Sequence, residues 1–140
     1  PDTLPQHSTS LRHLCDFLAG TATRLIVVGG AGSLYLDAAH TMQLKDAPTF
    51  PEAFVPLATA MGKALDALRT RSDVKWTYIS PAADFQADGE RTGSYVAAGE
   101  ELENGADGTS HISYADYAIA VVDEAERAAH VGERFSVHAA

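Results

Sequence analysis

The apolar positions change period several times along the chain, and each change predicts an element. Leu11, Leu14, Cys15 and Leu18 recur at helical spacing, so Ser8 to Ala19 is expected as a helix. Ser8 or Ser10 would cap it, and Gly20 would stop it. The continuous run Arg24 to Val28 (RLIVV) reads as a strand covered on both faces by helices, followed by a Gly29 to Ser33 loop. Leu34 to Phe50 has no period and is expected as an irregular excursion. From Pro51 to Arg71, Phe54, Leu57, Ala58, Met61, Leu65 and Leu68 form a single helical stripe.

The second half continues the alternation. Val74 to Ile79 (VKWTYI) is β-branched and aromatic, hence a strand stopped by Ser80-Pro81. Asp84 to Thr92 is polar and expected as a surface loop. Ser94 to Ala97 and Thr109 to Ile112 are expected as short strands with a turn at Asn104 to Gly108 between them. Ser113 opens a helix with Asp116 three residues on, as in a capping box, and the run Ala118 to Val122 predicts that this helix is largely buried. Arg134 to Val137 is the last expected strand. Strands alternating with helices predict an α/β fold with a mainly parallel sheet.

Composition narrows the function. The 140 residues are 46% hydrophobic and 21% charged, as in an ordinary globular domain. A formal net charge of -9 with scattered basic residues argues against a nucleic-acid partner. No apolar run is long enough to span a membrane, and a single cysteine, Cys15, fits a reducing cytoplasm and a buried packing role.

The candidate chemistry gathers after the strands. Gly29-Gly30-Ala31-Gly32-Ser33 has three readings: a pyrophosphate loop, a tight turn, or a turn that contributes to a ligand crevice without holding phosphate. Against the first, no periodic helix follows, and the third glycine of G-x-G-x-x-G is missing. Ser80-Pro81-Ala82 either ends a strand or reaches the same crevice. Ser33 and Tyr35 are a hydroxyl pair able to donate to a substrate carbonyl. Lys63 is solvated or functional, and His111 lies on the surface or in a cleft. The six histidines show no metal spacing, and Glu100, Glu101 and Glu103 read as a solvated acidic edge.

Several phrases then stand in order: RLIVVGGAGSLYL, DAPTFPEAF, VKWTYISPAADF, GERTGSYVAAGEELENGADGTSHISYADYAIAVVDEAE and RFSV. Together, over residues 20–138, they resemble the NAD(P)H-binding atypical short-chain dehydrogenases, of the NADH-flavin-reductase-like or NAD-dependent epimerase/dehydratase-like kind. The resemblance implies a Rossmann-type, mainly parallel sheet flanked by helices, with a nucleotide loop on its first strand. No such strand and loop stand in this sequence. The expectation is that residues 1–140 are the C-terminal part of a single NAD(P)-binding domain; the absence of an initial Met fits it.

Carried onto this chain, the resemblance puts Ser33 near the nicotinamide and matches Lys63 to the lysine of a Tyr-x-x-x-Lys pair, with Thr59 where the tyrosine would stand. Gly29, Gly30, Ala31, Ser80, Pro81 and Ala82 would contact the cofactor; Tyr35, Phe85 and His111 would face a small-molecule substrate. The implied function is NAD(P)H-dependent reduction of a flavin, quinone or similar acceptor. A non-catalytic NAD(P)-binding redox sensor is the alternative, and a sugar epimerase or dehydratase ranks below both. A sheet lacking its first strands is also expected to self-associate as a homo-oligomer, or to be stable only beside its missing part.

Overall fold

Trp76, Tyr78 and Ile79 place the second strong apolar run at the centre of the molecule. In the computed structural model, which describes residues 3–140, this run is β2 (Lys75–Ser80). It pairs in parallel with β1 (Arg24–Val28) on one side and with β6 (Glu133–His138) on the other. β4 (Val96–Ala98) adds antiparallel to β6, giving the order β1-β2-β6-β4. β3 (Asp84–Gln86) and β5 (His111–Ser113) form a separate two-stranded parallel sheet.

Strand alternation sends successive side chains to opposite faces. Trp76 and Tyr78 pack with Leu11 and Cys15 of α1 (Gln6–Leu18) and with Ala64, Leu65 and Leu68 of α2 (Val55–Arg69). Ile79, Phe135 and Val137 pack on the other face with Tyr117 and Ala120 of α3 (Tyr114–Arg127). The result is a mainly parallel sheet flanked by helices, as the alternation predicted. No helix among the described residues is long and apolar enough to cross a membrane.

Several local expectations are corrected. β1 packs on both faces as expected, Leu25 and Val27 toward the α1 and α2 layer and Ile26 toward the α3 layer, but the cover is partial. The strand is an edge, its inner residues are half-buried, and Val28 is 57% exposed. Ser8 and Ser10 lie inside α1 rather than capping it, and Ser10 Oγ bonds back to the Gln6 carbonyl. The stripe on α2 splits. A 3-10 turn (Glu52–Phe54) precedes the helix, and Phe54 and Leu57 are exposed while Leu65 and Leu68 are buried. The Asp84 to Thr92 stretch holds β3, and β4 and β5 do not form a hairpin, because each finds a different partner. α3 buries only one face, leaving Val122 outside.

The cap at α3 is half of the expected box. Ser113 Oγ accepts the Asp116 N–H at 3.0 Å. The Asp116 carboxylate turns away instead, accepting from the backbone N–H groups of Thr92 and Gly93 and from the Thr92 hydroxyl. It thereby ties the Asp84 to Thr92 excursion to the helix start.

Candidate functional site

The Gly29 to Ser33 turn leaves the C-terminal end of β1, beside the end of β2, where parallel α/β sheets open their ligand crevice. Its position is set from below by two buried tyrosines. The Gly29 N–H donates to the Ile79 carbonyl (2.9 Å), and the Gly30 N–H donates to the Tyr78 hydroxyl (3.2 Å). The Tyr117 hydroxyl donates to the same Ile79 carbonyl (2.7 Å). Burial pushes both phenols above their ordinary range, so both stay neutral. A Cβ on Gly29 would come within 2.1 Å of the Tyr78 ring, so only glycine allows this approach.

Two clefts flank the turn. The first, about 520 Å³, is apolar. Gly29 to Gly32 and Pro81, Ala82 and Ala83 line one side. Phe50, Phe54, Leu57 and Met61 line the other, and Phe85 closes an end. Thr49 is its only polar side chain among the described residues. Phe85 is held in place by the rings of Tyr114 and Tyr117, 4.3 and 4.9 Å away. The half-exposed N-terminal part of the α2 stripe is therefore the wall of a cavity, which explains why it is apolar and not packed.

The second cleft, about 190 Å³, is polar. Ser33, Tyr35, Gln43, Lys45, Thr59 and Lys63 contribute to it, together with exposed Arg69 and buried Arg134. Arg134 is almost wholly buried. Its guanidinium donates to Ser33 Oγ (2.9 Å), the Ser33 carbonyl (3.1 Å) and Ser80 Oγ (3.1 Å), and pairs with Glu100 at 2.6 Å. Arg69 reaches the same carboxylate at 2.8 Å. Burial opposes ionisation of Glu100, and the two guanidinium groups outweigh it, so its carboxyl lies below the usual range.

The predicted site residues are thus divided. Gly29, Gly30, Ala31, Pro81, Ala82 and Phe85 come together around the apolar cleft. Ser33, Tyr35 and Lys63 meet in the polar one. Ser80 is buried beneath, bonded to Arg134. His111 lines neither cleft; its Nδ1 lies 3.0 Å from the Thr109 hydroxyl. Glu100 is no solvated edge but the partner of the buried arginine, a correction to the sequence reading. Arg134 and the two tyrosines were missed. The arginine at the start of the expected strand Arg134 to Val137 was the one available signal, since a charge buried in a sheet needs a partner.

No family model matches the chain. An uncharacterized Bacillus subtilis protein, YwnB, is 50% identical over 115 residues, 82% of this chain and 54% of its own length. The chain therefore spans about half the length of the curated relative it matches. Among solved structures, a Streptococcus pneumoniae protein proposed to be an NADH-flavin reductase is 54% identical, with a TM-score of 0.96 over 100% of this chain and 67% of that one. A proposed epimerase from Bacteroides thetaiotaomicron is 37% identical, with a TM-score of 0.77 over 84% of this chain and 53% of that one. The chain belongs to the NAD(P)-binding reductase and epimerase superfamily that these relatives represent.

Proposed function

We propose that residues 1–140 form the C-terminal part of an NAD(P)H-dependent oxidoreductase whose apolar cleft receives a flat acceptor ring, a flavin or a quinone. The apolar cleft carries the reading. It lies at the C-terminal ends of two parallel strands and is walled by Phe50, Phe54, Met61 and Phe85. No side chain in its lining is an acid or a base. That suits an acceptor that needs orientation and exclusion of water more than protonation by the protein.

The residues present fit the ring end of a nicotinamide cofactor and not its pyrophosphate. The glycine turn offers close backbone approach. Two of its N–H groups, those of Gly29 and Gly30, are already donated to Ile79 and Tyr78, so it is no phosphate cradle. A bound nicotinamide would supply the hydride. The chain's own part is to orient the rings between the turn and the Phe54–Met61 wall and to keep water out. The phosphate-binding strand would pair along the open edge of β1, where Val28 is exposed. Ser33 and Lys63 face the polar cleft, so this reading gives them no contact with the acceptor.

The experiment is titration of the chain with FMN, nicotinamide mononucleotide and ADP-ribose, followed by fluorescence. Binding of the ring compounds without ADP-ribose is the expected result. Tight ADP-ribose binding would make the glycine turn the phosphate site and overturn the C-terminal assignment. The redox-sensor alternative rests on Thr59, which stands four residues before Lys63 in place of a proton-relaying tyrosine. It is separated by turnover. A protein extended at its N-terminus to the length of its relatives should oxidise NAD(P)H only when FMN or a quinone is added; a sensor would bind and not turn over.

A further inference from the structure

We propose that the polar cleft beside the glycine turn is a binding site for a phosphate group. The chain as a whole is strongly acidic, yet four of its ten basic residues, Lys45, Lys63, Arg69 and Arg134, converge on this one cavity. Arg69 and Arg134 share the single carboxylate of Glu100, which leaves two guanidinium groups against one negative charge. Lys45 lies 3.3 Å from exposed Asp46. Lys63 forms no ion pair among the described residues, and Asp66 is the single carboxylate in the lining itself. Positive charge therefore exceeds negative charge locally, within a molecule whose overall field is opposite.

The hydrogen-bonding groups point the same way. Ser33 Oγ accepts from Arg134, so its own proton remains to be donated. The Tyr35 and Thr59 hydroxyls and the Gln43 amide have no side-chain acceptor among the described residues. Donors from the turn, from the Leu34 to Phe50 excursion and from α2 thus surround a space of about 190 Å³. A phosphate group, with three or four acceptor oxygens and up to two charges, satisfies such a set better than a planar carboxylate. The helix supplies Thr59 and Lys63 from one face, four residues apart, and the excursion supplies Gln43 and Lys45 from the opposite wall.

The test is calorimetric titration of the complete chain with inorganic phosphate, with succinate as the carboxylate control. It uses no nucleotide and no acceptor, so its outcome is separate from that of the reductase reading. Saturable binding of phosphate is expected, with Lys63→Gln and Lys45→Gln each weakening it about tenfold, as for loss of one charge-assisted hydrogen bond. Lys75→Gln, outside the cleft, is expected to leave the affinity unchanged. Both cleft lysines retain solvent exposure, so the variants should melt as the parent does, and perturbation of the Gln43 side-chain amide signal by phosphate gives a second readout. Absence of saturable binding, equal affinity for succinate, or binding indifferent to both lysine substitutions would overturn the proposal.

Discussion

β1 and β2 are both short apolar runs, side by side and in parallel register, yet their surroundings differ. From Trp76 to Ser80, β2 is buried, with a strand on either side and a helix layer over each face. β1 has a strand on one side only, and its last residue is largely exposed. Both runs satisfy the same local requirement, residues of high strand propensity on an extended backbone, β-branched in β1 and β-branched with aromatic in β2. What separates them is the number of neighbours each has, and the energetic weight of each side chain follows from that.

The largest effect should come from the central strand. Trp76→Ala removes a side chain that is 2% exposed and bridges α1, α2 and the sheet, and should cost about 4 kcal/mol in chemical denaturation. A loss no greater than that of a β1 surface substitution would break the contrast between the strands. Gly29→Ala acts where the two strands meet. The new Cβ must push the Tyr78 ring or lift the turn, so a loss of about 3 kcal/mol is expected, together with weaker FMN binding in the apolar cleft. Unchanged melting and unchanged FMN affinity would show that the turn is not held by Tyr78.

A smaller, pH-dependent effect belongs to the clamp that ties the segment after β1 to the end of β2. The Glu100 carboxyl lies below its ordinary value of 4.5, because Arg69 and Arg134 outweigh its burial. As pH falls, the unfolded chain takes up the proton first. The stability this group contributes is present above pH 4.5 and is lost as pH drops through the lower folded-state value. Glu100→Gln should lower stability at neutral pH and flatten the acid limb of stability against pH. An acid limb of unchanged slope in the variant would place that dependence elsewhere. Smallest of all, Val28→Ala should stay within about 0.5 kcal/mol, measured in the same denaturation series.

The positions of the main elements were legible because periodicity is a local property. The helices that became α2 and α3, and the strands that became β1, β2 and β6, lie where the runs of Leu65, Tyr117, Ile26, Ile79 and Phe135 placed them. The cleft walls were half legible. Gly29 to Ala31, Pro81, Ala82 and Phe85 were named from strand ends and resemblance, and they do converge. Phe50 and Met61 were not, because an apolar residue that lines a cavity reads the same as one that packs in a core. Ser33 and Lys63 were named with the same group and line the polar cleft, a division that sequence separation does not reveal because it does not say which side of the turn a side chain takes.

The sequence by itself determined the alternation of strands and helices, and with it the parallel sheet, since each apolar stripe demands burial and short connections leave few ways to provide it. It also determined the half-box cap at Ser113, where one hydroxyl and one backbone N–H suffice. Only the tertiary structure decided that β1 would be an edge and that Glu100, 34 residues before Arg134, would become its partner. Only there, too, did one glycine turn come to separate an apolar cleft from a polar one. These are long-range pairings: a buried charge or an open cavity exists only once distant segments have met, and no local pattern encodes which segments those are.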